Sequence, residues 1–271
     1  EHVKRRVVQS VVEAVEVLRP AYFRFSRNLT EGGVTLQDTR EPHVFDDGLR
    51  MMQVMDVATS QTLGTLVQWA NHPETLWSRN LLISSDFPHY LREAVEKGVY
   101  HGDSLIRKGV GGIALYVNGA VGGLMTTHTS TGVADPFRDT VYVEPSFNKI
   151  RAQGDTLGLI ILRTMEENSV EVKEADINLR AKTFDLPLKN RLFQLAAAIG
   201  LMDADMTGWM KKRTEAAVWN IGPASFITFP GELYPEILNG GVVALPGRDF
   251  PIDPQEVPPL RELMPGMFRF G

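Results

Sequence analysis

Cysteine is absent from this sequence of 271 residues. Without thiols the chain has no disulfide framework and no thiolate metal site, so a bound metal would need His, Asp, Glu or Tyr ligands. The chain also lacks the His-Glu-x-x-His helix of zinc proteases, the Gly-x-Ser-x-Gly elbow of serine hydrolases and the Walker phosphate loop. An enzyme with this sequence must therefore assemble its site from residues that are distant in the chain.

A basic surface patch is missing as well. The formal net charge is −5, from 28 basic and 33 acidic residues, and the basic residues form no cluster that could follow a phosphate backbone. We therefore expect no nucleic-acid partner. The uncharged run of residues 111–134 has the length of a membrane span, but glycines and polar residues interrupt it, so it is predicted to be a strand followed by a loop.

Hydrophobic periodicity predicts a chain in which helices and strands alternate. Helices are expected from Val3 to Leu18, up to about Lys97, across residues 145–167 with breaks at Gly154 and Gly158, over residues 192–202, and from Glu232. Strands are expected over residues 49–57, 63–69, 112–117, 170–172 and 177–188, with a hairpin around Gly222-Pro223. The sequence therefore predicts an α/β fold, a single domain with a mixed β-sheet flanked by helices, covering residues 1–271 with no internal boundary.

The first candidate for chemistry follows the strand that is predicted to end at Trp69. His72 lies in Asn-His-Pro-Glu, and Asp86 ends Ile-Ser-Ser-Asp before the next helix. Polar residues that follow a buried strand often form sites at the edge of an α/β sheet. A neutral imidazole is a good zinc ligand near pH 7. A lone His in this position also fits a structural role, so both interpretations stay open on local grounds.

Three further segments carry candidate side chains. Glu232 follows a sharp Pro-Gly turn after a predicted strand, where a carboxylate serves either as a metal ligand or as a partner for a helix dipole. Asn118 ends another strand, where it would stabilise an oxyanion or simply form a turn. Arg40 would bind a carboxylate or carbonyl oxygen through its planar guanidinium, or pair with the neighbouring Glu on the surface.

Taken in order, these segments resemble the amino-terminal catalytic domain of the neutral ceramidases. Residues 39–42, Thr-Arg-Glu-Pro, are similar to that family's Asn-Arg-Ser-Pro loop. Residues 71–73 and 83–86 are similar to its Thr-His-x-Thr and Ile-Ser-x-Asp segments. Residues 229–232, Phe-Pro-Gly-Glu, resemble its Leu-Pro-Gly-Glu, and residues 18–21 resemble the end of its first helix. The resemblance runs through nearly the whole chain.

The resemblance implies a zinc-dependent hydrolase of amide bonds. That family holds one Zn²⁺ with two His, one Glu and one Tyr, and by position His72 matches the second His while Glu232 matches the Glu. The other two ligands would fall before residue 1 and beyond residue 271, as if the sequence were cut at both ends; two ligands alone make an incomplete site. Arg40 and Asn118 would bind the substrate carbonyl or its oxyanion, and Asp86 would hydrogen-bond a zinc ligand.

One segment departs from the family's pattern. Residues 118–125 read Asn-Gly-Ala-Val-Gly-Gly-Leu-Met, where the family has Asn-x-Gly-Asp-Val-Ser-Pro-Asn close to its substrate. Besides an N-acyl sphingoid substrate, we therefore keep open a different amide or ester, ligand binding without turnover, and a purely structural domain. The resemblance further implies a small-molecule or lipid amide as partner, peripheral contact with a membrane, and an exported or periplasmic location; it assigns no oligomeric state.

Overall fold

The structure is a computed structural model that describes residues 2–38, 43–78, 80–123, 125–187, 189–201 and 211–239. Its helices are α1 (His2–Glu16), α2 (Phe87–Lys97), α3 (Phe147–Glu167), α4 (Arg191–Ala198) and α5 (Pro235–Asn239), with a 3-10 helix at Gly32–Thr35. Its strands are β1 (Ala21–Asn28), β2 (Leu49–Asp56), β3 (Thr62–Trp69), β4 (Gly98–His101), β5 (Ser104–Lys108), β6 (Ile113–Asn118), β7 (Val133–Ala134), β8 (Val141–Tyr142), β9 (Val170–Val172), β10 (Ile177–Pro187), β11 (Lys211–Ile221) and β12 (Ala224–Thr228).

The chain forms two compact units. The first contains residues 1–37, 47–119 and 126–174, and the second contains residues 38–46, 120–125 and 175–271. The predicted extent of one domain over residues 1–271 stays a prediction.

A five-stranded mixed sheet forms the centre of the first unit. Its strand order is β6-β3-β2-β1-β9; β3 and β6 run parallel, and the other neighbours are antiparallel. The helices α2 and α3 pack against each other, α2 contacts β6, and α3 contacts β1. The predicted fold class, α/β with a mixed sheet and flanking helices, is confirmed.

Two glycines of α3 allow it to approach α2 closely. A Cβ atom on Gly154 would lie 2.4 Å from the Cβ atom of Tyr90, and one on Gly158 would lie 2.4 Å from the Cβ atom of Ala94. The prediction that these glycines break the helix is wrong, because α3 is continuous over 21 residues. Glycine lowers helix propensity by about 1 kcal/mol, and the tight contact between the helices offsets that loss. The side chains around the contact have no exposed surface: Leu91, Val95, Leu157 and Ile161.

The strand β6 lies at the edge of the sheet, although the sequence predicted a buried strand over residues 112–117. Ala114 is fully buried, but Ile113 and Leu115 are 64% and 58% exposed. The outer edge of β6 is covered at one point by side chains of α2. Arg92 Nε donates to the Ala114 carbonyl at 2.6 Å, and the Ala114 N–H donates to Glu96 Oε1 at 2.8 Å.

An antiparallel sheet, β10-β11-β12, forms most of the described second unit. The predicted hairpin is confirmed, with Gly222 at a φ of 54° in the turn. The helix expected over residues 192–202 ends earlier, at Ala198, because Gly200 adopts a φ of 74° and closes a C-terminal cap. The helix expected from Glu232 begins three residues later, at Pro235.

The predicted opening helix is present as α1, and its residues are exposed throughout. Among the described residues, no helix combines the length and apolar character needed to cross a bilayer. The described part of the uncharged run of residues 111–134 contains β6 followed by loop, as predicted, and ends in the two residues of β7.

Candidate functional site

The parallel strands β3 and β6 bring two of the predicted site residues to one edge of the sheet. Trp69 and Asn118 end these strands and are paired with each other, and the Gly119 N–H donates to the Trp69 carbonyl at 3.0 Å. His72 follows the end of β3 by three residues. Because the two strands run in the same direction, their carboxyl ends open at the same edge, where α/β folds commonly bind ligands.

A partly buried tyrosine of β6 holds this edge together. The Tyr116 hydroxyl lies 3.1 Å from the Trp69 carbonyl oxygen, 3.0 Å from the Asn71 carbonyl oxygen and 2.7 Å from Asn118 Oδ1. Burial raises the pKa of Tyr116 far above the usual value for tyrosine, so the hydroxyl stays protonated, and its single proton can be donated to one of these three acceptors at a time. The contact with Oδ1 orients the Asn118 amide with its Nδ2 group directed away from Tyr116.

Backbone hydrogen bonds support the loop that carries His72. His72 forms a parallel bridge with Thr126, and Thr126 pairs in turn with Gln37 through two hydrogen bonds of 2.9 and 3.0 Å. The His72 carbonyl accepts a hydrogen bond from the Glu74 N–H at 2.8 Å, which closes a tight turn after the imidazole. The segment around Thr126 therefore links the His72 loop to a second, distant part of the chain.

A buried polar network also connects this loop to α3. Thr127 Oγ1 accepts hydrogen bonds from Asn71 Nδ2 at 2.8 Å and from Gln153 Nε2 at 2.7 Å, and it donates to a backbone carbonyl at 2.7 Å. The Thr75 hydroxyl donates to Gln153 Oε1 at 2.7 Å. Asn71 and Thr75 stand on either side of His72 in the chain. Because hydrogen-bonded networks of this kind rigidify a core, the position of His72 is determined on both sides.

Asp86 ties the same loop to the beginning of α2. Its Oδ2 accepts from the Leu76 N–H at 2.9 Å and its Oδ1 from the Phe87 N–H at 2.8 Å, and the carboxylate also accepts from Thr75. Burial raises the pKa of Asp86 above the ordinary value, although these hydrogen bonds act in the opposite direction. Its backbone has a φ of 56° and a ψ of −150°, a conformation that is costly for a residue other than glycine. The predicted hydrogen bond from Asp86 to a zinc ligand stays a prediction.

Two open clefts adjoin this loop. The first has a volume of about 400 Å³, and the second, which shares Trp77 with it, has about 580 Å³. Trp77 has a φ of 55° and meets the ring of His128 edge-on at 5.2 Å. Both linings mix polar and apolar groups, and the polar residues are Glu74, Ser78, Asn80, Ser84 and Asp86 in the first cleft and Ser78, Thr129, Ser130 and Glu144 in the second.

Glu232 belongs to the second unit, where it is exposed between β12 and α5. The Gly122 N–H donates to the carbonyl of the next residue, Leu233, at 2.9 Å. A Cβ atom on Gly122 would lie 2.9 Å from the Glu232 carbonyl oxygen. This close approach explains why residue 122, in the segment that departs from the ceramidase pattern, is a glycine.

Arg40, the remaining predicted site residue, lies outside the described residues.

The number and type of available metal ligands show how complete the predicted zinc site is. In the part of the chain that the structure describes, no three His, Asp or Glu side chains converge in a group that could hold a metal ion. The predicted ligands His72 and Glu232 offer one imidazole and one carboxylate, which suit zinc, but enzymes hold zinc with three protein ligands or more. The described residues therefore fit a zinc ion in the type of donor and not in the number.

The chain is similar in structure to ceramidases. Against neutral ceramidase from Pseudomonas aeruginosa the TM-score is 0.52 at 14% sequence identity, over 83% of this chain and 42% of that chain. Against a ceramidase complexed with C2 the TM-score is 0.51 at 14% identity, over 82% of this chain and 43% of that chain. The chain has a distant ceramidase-like fold. It spans less than half the length of these ceramidases, and no family model and no curated protein sequence matches it.

Two residues that build this edge, Tyr116 and Gln153, had no role in the sequence analysis. Tyr116 and Asn118 are two residues apart in β6, so strand alternation places them on the same face and could have predicted their contact. Gln153 stands out as a polar residue within the apolar pattern of α3. Its bond to Thr127, 26 residues away, depends on how α3 packs and has no signal in the sequence.

Proposed function

We propose that this chain is a hydrolase that cleaves the amide bond of an N-acyl lipid, as a ceramidase does. The observation that carries the proposal is the ceramidase-like fold with His72 and Asn118 at the shared carboxyl edge of β3 and β6. Fold alone does not define an activity. The polar side chains that the fold gathers at this edge supply the chemical argument.

Asn118 would bind the scissile carbonyl in this proposal. The Tyr116 hydroxyl accounts for Asn118 Oδ1 at 2.7 Å, so the amide presents its Nδ2 donor to a substrate. Donors that are held in place before the reaction stabilise the oxyanion that develops on the carbonyl oxygen. Arg40 would add a second donor to the same oxygen.

His72 and Glu232 would be two of the ligands of a zinc ion. A bound zinc ion polarises the scissile carbonyl and lowers the pKa of its bound water toward about 7. The residues of this chain would hold that ion rigidly, because the loop of His72 is tied to α2 through Asp86 and to α3 through Gln153. Supporting residues of this kind commonly change metal affinity by about 10- to 100-fold when they are replaced.

The zinc content of purified full-length protein tests this assignment. After reconstitution we expect about one zinc ion per chain in the wild type, almost none in His72→Ala, and a wild-type content in His89→Ala, a matched control whose side chain is 57% exposed on α2. Hydrolysis of a simple N-acyl substrate should fall with the zinc content. Unchanged zinc in His72→Ala would remove His72 from the ligand set.

A related zinc hydrolase with a different amide or ester substrate is the second candidate. The observation that favours it is the altered segment of residues 118–125, in which Gly122 packs against the residues next to Glu232. A panel of N-acyl amides and carboxylic esters of equal chain length distinguishes the two. A homologue that binds a ligand without turnover would bind the panel and release no product.

A further inference from the structure

Exposed aliphatic side chains lie in the loop between His72 and α2. Leu81, Leu82 and Ile83 are consecutive, and they are 94%, 66% and 107% exposed. Single exposed apolar residues are common on protein surfaces, whereas adjacent ones form a patch of the kind that marks an interaction site. In the sequence analysis Ile83 is only the first residue of the Ile-Ser-Ser-Asp segment, and Leu81 and Leu82 have no role.

Hydrogen bonds hold this tip in its shape. The side chain of Asn80 accepts from the Leu82 N–H at 3.1 Å and donates to the Leu82 carbonyl at 2.7 Å. At the other end, Ser84 Oγ accepts from the Asp86 N–H at 3.0 Å. Because the turn is already ordered, little conformational entropy is lost when its side chains leave water for another environment.

Polar residues that line a cleft flank the three aliphatic residues of this loop. Asn80 and Ser84 line the cleft of about 400 Å³ that also contains Asp86, whereas the three aliphatic residues between them project into solvent. The apolar tip therefore stands at the rim of the cleft beside the candidate site.

We propose that Leu81, Leu82 and Ile83 insert into the surface of a lipid bilayer and hold the adjoining cleft at the membrane. The inference rests on the proposed function, because a lipid amide is found in that surface. Three side chains are too few for a stable protein interface, which takes about 800 Å² from each partner. It also lacks the Trp, Tyr and Arg side chains that dominate protein interfaces.

The absence of a basic patch selects the type of bilayer. A formal net charge of −5 gives the chain no overall electrostatic attraction to an anionic membrane surface. Fluid hydrocarbon accepts aliphatic side chains without any demand on their shape. We therefore expect the tip to insert into a zwitterionic bilayer, and phosphatidylcholine vesicles are the probe.

A single-cysteine label measures the insertion directly, since the chain has no cysteine of its own. A polarity-sensitive fluorophore on Ile83→Cys should shift to the blue and brighten when phosphatidylcholine vesicles are added. The same label on Ile106→Cys is the matched control. Ile106 is 48% exposed on β5, beyond the opposite end of α2, a helix of 11 residues and about 16 Å in length.

Co-sedimentation with the same vesicles gives the second measurement. Replacing all three residues, Leu81→Ser, Leu82→Ser and Ile83→Ser, should lower vesicle partitioning at least tenfold, whereas Leu105→Ser with Ile106→Ser should leave it unchanged. Equal losses in both variants, or no vesicle binding by the wild type, would overturn the proposal. So would a dimer of the wild type that the triple replacement dissociates, because a second copy would then be the occupant.

Hydrolysis of a short-chain, water-soluble N-acyl substrate separates this inference from the proposed function. The triple variant should hydrolyse the soluble substrate at the wild-type rate and lose activity only on substrate in vesicles. If no N-acyl substrate is hydrolysed while vesicle binding still depends on the tip, the hydrolase assignment is refuted and the membrane contact is supported. If the protein hydrolyses N-acyl substrates but the triple variant binds vesicles as well as the wild type, the membrane contact is refuted and the hydrolase assignment is not.

Discussion

Gly158 of α3 lies directly over Ala94 of α2, so close that a Cβ atom on the glycine would stand 2.4 Å from the Cβ atom of the alanine. Gly154 makes the same kind of contact with Tyr90 one turn earlier. The spacing of four residues places both glycines on one face of α3. The contact between the two helices therefore depends on the absence of a side chain at these positions.

Replacing Gly158 with Ala is expected to lower the free energy of unfolding by about 1–2 kcal/mol. Overpacking costs about 1–3 kcal/mol, and the better helix propensity of Ala returns part of it. Urea unfolding measures the change. Adding Ala94→Gly should recover part of the loss, since it removes the opposing methyl group; an increase in stability from Gly158→Ala alone would contradict the packing.

Two hydrogen bonds protect the edge of β6: Arg92 donates to the Ala114 carbonyl, and the Ala114 N–H donates to Glu96. Glu96→Ala leaves the Ala114 N–H without this acceptor, which should cost about 1 kcal/mol in the free energy of unfolding. It should also promote self-association, because an uncovered edge strand can pair with another chain. Static light scattering measures the association. Glu93→Ala on the same helix is the control, and equal association of both variants would show that the edge is not involved.

The stability of the chain should depend on Asp155 above pH 4. Burial raises the pKa of Asp155 to about 6; Arg151 opposes this shift, while Asp135 and Glu93 add to it. An acid with a raised pKa in the folded state contributes stability below its unfolded pKa, here 3.8, and this contribution is lost as the pH rises through about 6.

Asp155→Asn should therefore match the wild type near pH 4 and be more stable at pH 7.5. Solvent screens the partly exposed group, so the expected gain is about 1 kcal/mol. Thermal unfolding across this pH range measures it. Asp103→Asn, in the turn between β4 and β5, is the control, and a gain that is the same at both pH values would exclude the titration of Asp155.

Tyr116→Phe tests whether the tyrosine orients Asn118. The phenyl ring keeps the edge-on contact with Phe87 at 5.5 Å, while Asn118 Oδ1 and the Asn71 carbonyl lose the hydroxyl as a possible donor; the Trp69 carbonyl keeps the Gly119 N–H. We expect about 1–2 kcal/mol less stability and, under the proposed function, a fall in kcat with little change in KM. If Tyr116 acts through Asn118, the double replacement with Asn118→Ala should be no slower than Asn118→Ala alone. Additive losses would mean that the two residues act separately.

Local patterns predicted much of the fold. Runs rich in apolar residues indicated β2 and β3, and each strand was predicted to within one residue at its ends. The buried character of β6 was predicted wrongly, because an apolar run does not show whether a strand is central or at an edge. The glycines of α3 were misinterpreted for a similar reason: propensity argues against Gly in a helix, and only the neighbouring helix explains it.

The candidate site divides in the same way. His72 and Asn118 could be singled out because each polar residue follows an apolar strand. Their common edge could not be derived, since it requires β3 and β6 to be parallel neighbours. The roles of His72, Glu232, Asn118, Asp86 and Arg40 in catalysis stay predictions.

The amino-acid sequence by itself predicted the helices and seven of the strands, but not β1, β4, β5, β7 or β8. It also determined which metal ligands are excluded and which polar residues follow the predicted strands. These properties depend on neighbours within a few residues, whose spacing is written in the chain. Only the tertiary structure decided that Tyr116 bonds to Asn118, that Gln153 supports the loop of His72, and that Leu81, Leu82 and Ile83 project beside a cleft. These contacts join residues whose separation in the chain carries no information about their distance in space.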